Sequence, residues 1–214
     1  MVGAGLSRLL EKSAGTVNTA TASAPMLSVS ELKQFVYCPR IFYYRTVPAL
    51  HPPATGLMKR GHDLHAEFER LEPRRVLARY GLGRAIRHFS LPLHDADMGV
   101  TGLTDLLLEA EDRLGVVEFK ASAAPLAENH RYQLGAYALL AERAFGKPCP
   151  LTFALFADRE EIEEIPVDAD LRRRVGAALG EMRAVVAAGC LPPPTPVRAR
   201  CSHCEFKCFC GDVF

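Results

Sequence analysis

The chain has 214 residues and a mass of 23.5 kDa, with 49% apolar and 24% charged side chains, which excludes collagen-like and wholly disordered classes and suits one large domain or two small ones. Its formal net charge of +1 gives no bulk attraction to a polyanion, yet the charge is unevenly placed: residues 31–90 hold 11 basic and 5 acidic side chains, residues 91–170 hold 6 and 16, and residues 171–214 hold 7 and 3. An acidic middle lies between two basic ends, no apolar run approaches the ~20 residues that span a bilayer, and residues 1–25 lack the apolar stretch of a signal peptide, so the expected location is cytoplasmic.

The Ala/Ser/Thr-rich opening through Pro25 reads as a disordered leader, because it has no periodicity and few large apolar groups. A helix is predicted next, opened by the capping box Ser28-x-x-Glu31. Leu32, Phe35 and Val36 form its apolar face at i, i+3 and i+4, and Pro39 makes Cys38 its end. Residues 60–68 also read as helix, with Leu64, Phe68 and Leu71 inward and His65 four residues after Gly61. A single histidine there suits a structural role as well as a chemical one, and His62 competes with it.

The middle carries the stronger chemical signal. Residues 100–110 read as a strand, Glu111-Asp112 as a turn and residues 114–120 as the return strand. A two-residue loop at 111 and 112 pairs residues whose numbers sum to 223, so Asp105 faces Glu118, and Lys120 follows Glu118 on the same face. Opposed like charges destabilise a hairpin, so the pattern makes physical sense with a hard divalent cation, magnesium or manganese, between the carboxylates. Such a centre suits phosphodiester hydrolysis, with Lys120 orienting the attacking water or stabilising developing charge. The competing reading leaves both carboxylates facing solvent, and a register slip of one residue would turn Asp105 away. A helical pattern follows from His130, with Gln133 and Tyr137 on one face. Residues 151–157 read as a buried strand and residues 171–188 as an amphipathic helix. The Pro192–Pro196 stretch is a stiff lead-in to the C-terminal cysteines.

Seven cysteines, four of them within the last 14 residues, argue for metal rather than a secreted disulfide framework. Cys201 and Cys204 form a C-x2-C pair, with Cys208 and Cys210 close behind. No second C-x2-C knuckle stands at zinc-ribbon distance, so further ligands come from His203, Cys208, Cys190, Cys149 or the distant Cys38. The plain alternative for Cys149 and Cys190 is a small buried hydrophobe.

Taken in order, Gly61 with His65, Gly102 with Asp105, Glu118 with Lys120 and Gln133 with Tyr137 resemble the motifs of RecB-type nucleases. With Cys38-Pro39-Arg40 before them and Cys201, Cys204 and Cys210 after them, residues 27–212 resemble the CRISPR-associated RecB-like exonuclease family with an iron-sulfur cluster, known as Cas-four, whose members are sometimes fused to the CRISPR integrase. The resemblance implies an α/β, restriction-endonuclease-like core, a mixed sheet flanked by helices, with a C-terminal iron-sulfur clasp. Its implied parts are a leader (1–25), a nuclease domain (26–190) and a cluster segment (191–214) packing back on Cys38. It further implies that His65, Asp105, Glu118 and the Phe119 carbonyl hold magnesium or manganese, that Lys120 is the catalytic lysine, and that Gln133 and Tyr137 position DNA or order that lysine. Cys38, Cys201, Cys204 and Cys210 would hold a 4Fe-4S cluster of structural role, Cys208 being the rival last ligand. The implied work is trimming of single-stranded prespacer overhangs for CRISPR adaptation, with recognition of an adjacent motif, beside the integrase and its small dimeric partner. A fused partner could begin where the chain stops. The rival class is a non-catalytic DNA-binding adaptor of the integrase. A helicase-associated nuclease is disfavoured, because no G-x4-G-K-[ST] loop is present. Arg40, Arg45, Lys59, Arg60, Arg74, Arg75, Arg79, Arg84 and Arg87 are candidates for a phosphate track, and Tyr37, Tyr43 and Tyr44 for base stacking or core.

Overall fold

The computed structural model describes residues 26–52, 70, 72, 76–120, 125–156, 161–202 and 204–211. The leader, the helix expected over 60–68 with Gly61, His62 and His65, and His203 lie outside the described residues.

One mixed sheet is assembled from β1 (Leu27–Ser28), β2 (Ile86–Asp95), β3 (Val100–Glu109), β4 (Leu114–Lys120), β5 (Leu151–Phe156) and β6 (Glu161–Pro166). β3 is its hub. β2 pairs with it antiparallel along one edge, while the other edge is shared by β1, parallel at Val100 and Thr101, and by β4, antiparallel from Leu106 to Glu109. The β3–β4 pairs Leu106–Val117 through Glu109–Leu114 have the register expected from the two-residue turn. β5 runs parallel to β4 and β6 closes the edge antiparallel. The parallel β4–β5 step requires a crossover, and the long helix α3 (Glu128–Phe145) lies in that connection.

α1 (Val29–Tyr37) and α2 (Pro39–Thr46) precede the main strands, and α4 (Ala169–Ala188) follows them. α1, α3 and α4 share one core with the sheet face that carries Val100, Leu107, Val116, Ala154 and Phe156. The opposite face holds Leu106, Leu108, Val117, Phe119, Phe153 and Leu155 under Tyr80 and Leu82. Cover on both faces accounts for the unbroken burial of Leu106–Leu108 and Val116–Phe119, which a half-solvated strand would not show. No helix among the described residues is long and apolar enough to cross a membrane.

Candidate active site

Between the β1 and β4 contacts, residues 102–105 of β3 pair with no strand on that edge among the described residues. Three features fill the gap. At Gly102 an added Cβ would stand 2.6 Å from Tyr137 Cε1 and 2.9 Å from Val29 Cγ2, so α1 and α3 close over the strand only because that side chain is missing. The Leu103 carbonyl accepts from the Tyr137 hydroxyl at 2.8 Å, so α3 supplies a donor to this stretch of the strand. At Asp105 the inside–outside alternation changes: Leu91, Leu93 and Val100 pack on the helix side, whereas Phe89, Leu106 and Leu108 pack on the other. The switch falls at Ser90, whose φ of 47° is left-handed, and at Asp105 beside it, the position the β2–β3 ladder skips.

Asp105 therefore stands where two ladders let go. Its Oδ2 accepts the Phe119 N–H at 2.8 Å, tying the loosened strand to β4. Glu118, only 6% exposed, accepts from Lys120 Nζ at 2.9 Å, as two residues on one face of a strand can. Both carboxylates act electrostatically on Lys33 of α1 and on Tyr137. Burial pushes the Tyr137 hydroxyl well above its ordinary pKa, with Glu118 adding to the rise, so the phenol stays protonated and donates. Gln133 hydrogen-bonds the same hydroxyl. His130, one turn earlier, is pushed down to about 4 by burial and then by the Lys120 and Lys33 charges; its imidazole is neutral at pH 7. Asn129 Oδ1, His130 Nδ1 and Gln133 Oε1 are buried without a hydrogen-bond partner. These orphan polar atoms gather on the α3 face turned to the carboxylates, where an incoming polar group would satisfy them.

The cysteines form a second locus. Cys38, Cys201, Cys204 and Cys210 line one cavity with Tyr44, Pro194 and Phe206, and Arg40 Nη1 donates to Cys210 Sγ at 3.3 Å. Cys208 is exposed and absent from that lining. Cys149 is fully buried, as a small hydrophobe would be, and its thiol is pushed up to about 12 by burial. Cys190 departs from that expectation, being exposed in the loop after α4. Among the described residues no three His, Cys, Asp or Glu side chains stand close enough to form a complete metal cage. Four thiols around one largely apolar cavity nevertheless fit a soft, thiolate-bound centre. Two neighbouring carboxylates, beside a lysine and the orphan polar atoms of α3, fit a hard divalent ion that keeps several waters.

Comparison with known proteins resolves the family. The PD-(D/E)XK nuclease superfamily profile matches residues 72–211. The CRISPR-associated exonuclease Cas4 of Francisella tularensis subsp. novicida is 33% identical over 186 residues, covering 87% of this chain and 94% of that one. The chain belongs to the Cas4 family of PD-(D/E)XK nucleases. A Cas4 of Thermoproteus tenax is 26% identical over 189 residues, with 87% and 94% coverage. A Cas4/Cas1 fusion of Myxococcus xanthus is 28% identical over 194 residues, covering 87% of this chain and 31% of the fusion. Two solved structures share the fold: SSO0001, at a TM-score of 0.53 and 15% identity over 88% of this chain and 86% of that one, and an exonuclease of Eubacterium rectale, at 0.52 and 13% over 90% of each.

This Cas4-family chain is thus a CRISPR-associated nuclease on a mixed sheet flanked by helices, and its superfamily implies a divalent metal. The structure brings together Asp105, Glu118, Lys120, Gln133 and Tyr137 of the sequence-derived set. His65 lies outside the described residues. Sequence reading missed Lys33, Asn129 and His130. Lys33 is four residues after Val29, hence on the α1 side that meets Gly102, and His130 is three before Gln133. Both positions were readable once α1 and α3 were known to meet.

Proposed function

We propose that this chain is a divalent-metal-dependent deoxyribonuclease whose reacting centre is Asp105, Glu118 and Lys120, acting on single-stranded DNA or overhangs that become CRISPR spacers. The observation that carries the reading is the gathering of two carboxylates and a lysine at the break in the β3 edge, under α1 and α3. Asp105, Glu118, the Phe119 carbonyl and His65 would hold magnesium or manganese, which when bound supplies Lewis acidity and a more acidic water. Lys120 balances the charge developing on the phosphoryl oxygens or orients the attacking water. Asp105 serves β4 as well, because its bond to the Phe119 N–H holds Glu118 in place. Tyr137 and Gln133 lock α3 to the strand two residues before Asp105, so they position the centre.

Cys38, Cys201, Cys204 and Cys210 are proposed to hold a 4Fe-4S cluster that joins residues 191–214 to α2. The fused relatives carry Cas1 in the same chain, which supports a working association with the integrase and its small dimeric partner during adjacent-motif recognition and overhang trimming.

The test uses anaerobically purified protein and a duplex with labelled single-stranded overhangs, in magnesium or manganese, with and without integrase. Wild type should shorten the overhangs, and Lys120→Ala and Asp105→Ala should each lose at least 100-fold in rate while keeping their cluster absorbance. Binding without cleavage by cluster-loaded wild type in every condition would favour the adaptor reading instead.

A further inference from the structure

Lys33 is a fourth charged side chain of the site, one that neither motif spacing nor hydrogen bonding accounts for. It sits one turn after Val29, whose side chain presses on Gly102 beside Tyr137. α1 starts directly from β1 at the open edge of β3, so that turn carries Lys33 toward the carboxylates. Its ammonium senses Glu118, Lys120 and Asp105, and burial is the largest influence on it, holding its pKa below the ordinary lysine value. Among the described residues no carboxylate stands within ion-pair distance of it, because Glu118 is already engaged by Lys120 at 2.9 Å and Asp105 by the Phe119 N–H.

A half-buried cation with no counter-ion among the described residues favours an incoming anion, and the nearby charges show what kind. Asp105 and Glu118 bring two negative charges, and a divalent cation held between them matches both. Lys33 and Lys120 are then left as surplus positive charge, and His130 beside them is neutral at pH 7. The group that complements such a charge arrangement is an anion with several oxygens. A hydrated phosphodiester brings both anionic oxygens and ordered waters.

We propose that Lys33 binds a backbone phosphate of the DNA strand being cut, alongside Lys120, making α1 part of the substrate-binding wall. The assignment rests on the nuclease reading above. It predicts a contribution to binding that is sequence-independent and salt-sensitive, as phosphate contacts are.

The experiment measures binding of a fluorescent overhang duplex across a salt series, in a cleavage-deficient Lys120→Ala background, with Lys33 intact or changed to Met, Gln or Arg. Loss of one phosphate contact to a single strand should flatten the log–log salt slope by about 0.7. Lys33→Met and Lys33→Gln should each weaken binding about 5-fold or more at low salt, and Lys33→Arg should restore both affinity and slope. In chains with Lys120 intact, Lys33→Met should raise KM more than it lowers kcat. Unchanged affinity and slope in folded Met and Gln variants, while the parent binds and wild type cleaves, would overturn the Lys33 assignment alone. Failure of wild type itself to bind or cleave DNA would overturn the nuclease reading and this assignment together.

Discussion

Gly102 illustrates how much of the site is decided by single side chains. The Gly-x-x-Asp spacing is visible in the sequence, but its reason is not: the space a Cβ needs is taken by Tyr137 from one helix and Val29 from another, contacts separated by long stretches of chain. Gly102→Ala forces these side chains apart, and the expected cost is about 1–3 kcal/mol of stability, measured by urea unfolding. Cleavage should fall as well, since Tyr137 is displaced from the Leu103 carbonyl. Wild-type stability in that variant would mean that the approach of α1 and α3 is looser than the structure describes. The likeness of Gln133 and Tyr137 as one-face partners was legible from their spacing. Their division of labour, with Tyr137 donating to the Leu103 carbonyl and Gln133 hydrogen-bonded to the Tyr137 hydroxyl, needed the placement of α3 against β3.

At the scale of elements, α1, the β3–β4 hairpin, α3, β5 and α4 were legible because each has a strong local signal. α1 has both halves of its capping box, Glu31 N–H to Ser28 Oγ at 3.1 Å and Ser28 N–H to Glu31 Oε2 at 2.7 Å. Ser28→Ala should cost about 1 kcal/mol and speed amide exchange in the first turn of α1; unchanged exchange there would show that β1 alone sets the start of the helix. Four of the labelled elements were not read, and β1, only two residues long, carries no pattern of its own. β2 interrupts its alternation at Ser90 and contains Pro92, which demotes a strand pattern. β6 is an edge strand carrying three acids, Glu161, Glu163 and Glu164, and looks like a charge run. Pro39, taken only as the stop of α1, is also the first residue of α2, the position where proline's missing N–H costs nothing.

For the whole molecule, part of the basic ends holds the chain to itself. Arg40 donates to the Pro192 carbonyl at 2.9 Å, Arg45 pairs with Glu205 at 2.9 Å, and Arg200 donates to the Tyr37 carbonyl at 2.6 Å. Tyr44 stacks on Phe206 with centroids 5.5 Å apart. These contacts lay residues 191–210 against α1 and α2, so two of the arginines offered for a phosphate track, and two of the tyrosines offered for base stacking or core, help join the C-terminal segment to the first two helices. Composition alone could not separate these uses, because an arginine that meets a carbonyl and one that meets a phosphate look alike in sequence. The acidic middle resolves more simply. Asp105 and Glu118 are its inward members, and Glu109 and Glu142 are engaged by Lys147 and Arg172.

The central claim is that Asp105 and Glu118 stand together because a divalent cation belongs between them. Titrating manganese into the purified chain and following the electron paramagnetic resonance of the free ion tests it without relying on any substrate. Wild type should take up manganese, and Asp105→Asn and Glu118→Gln should each weaken that uptake at least 10-fold while remaining folded. Equal manganese binding by all three proteins would contradict the account and place the metal elsewhere.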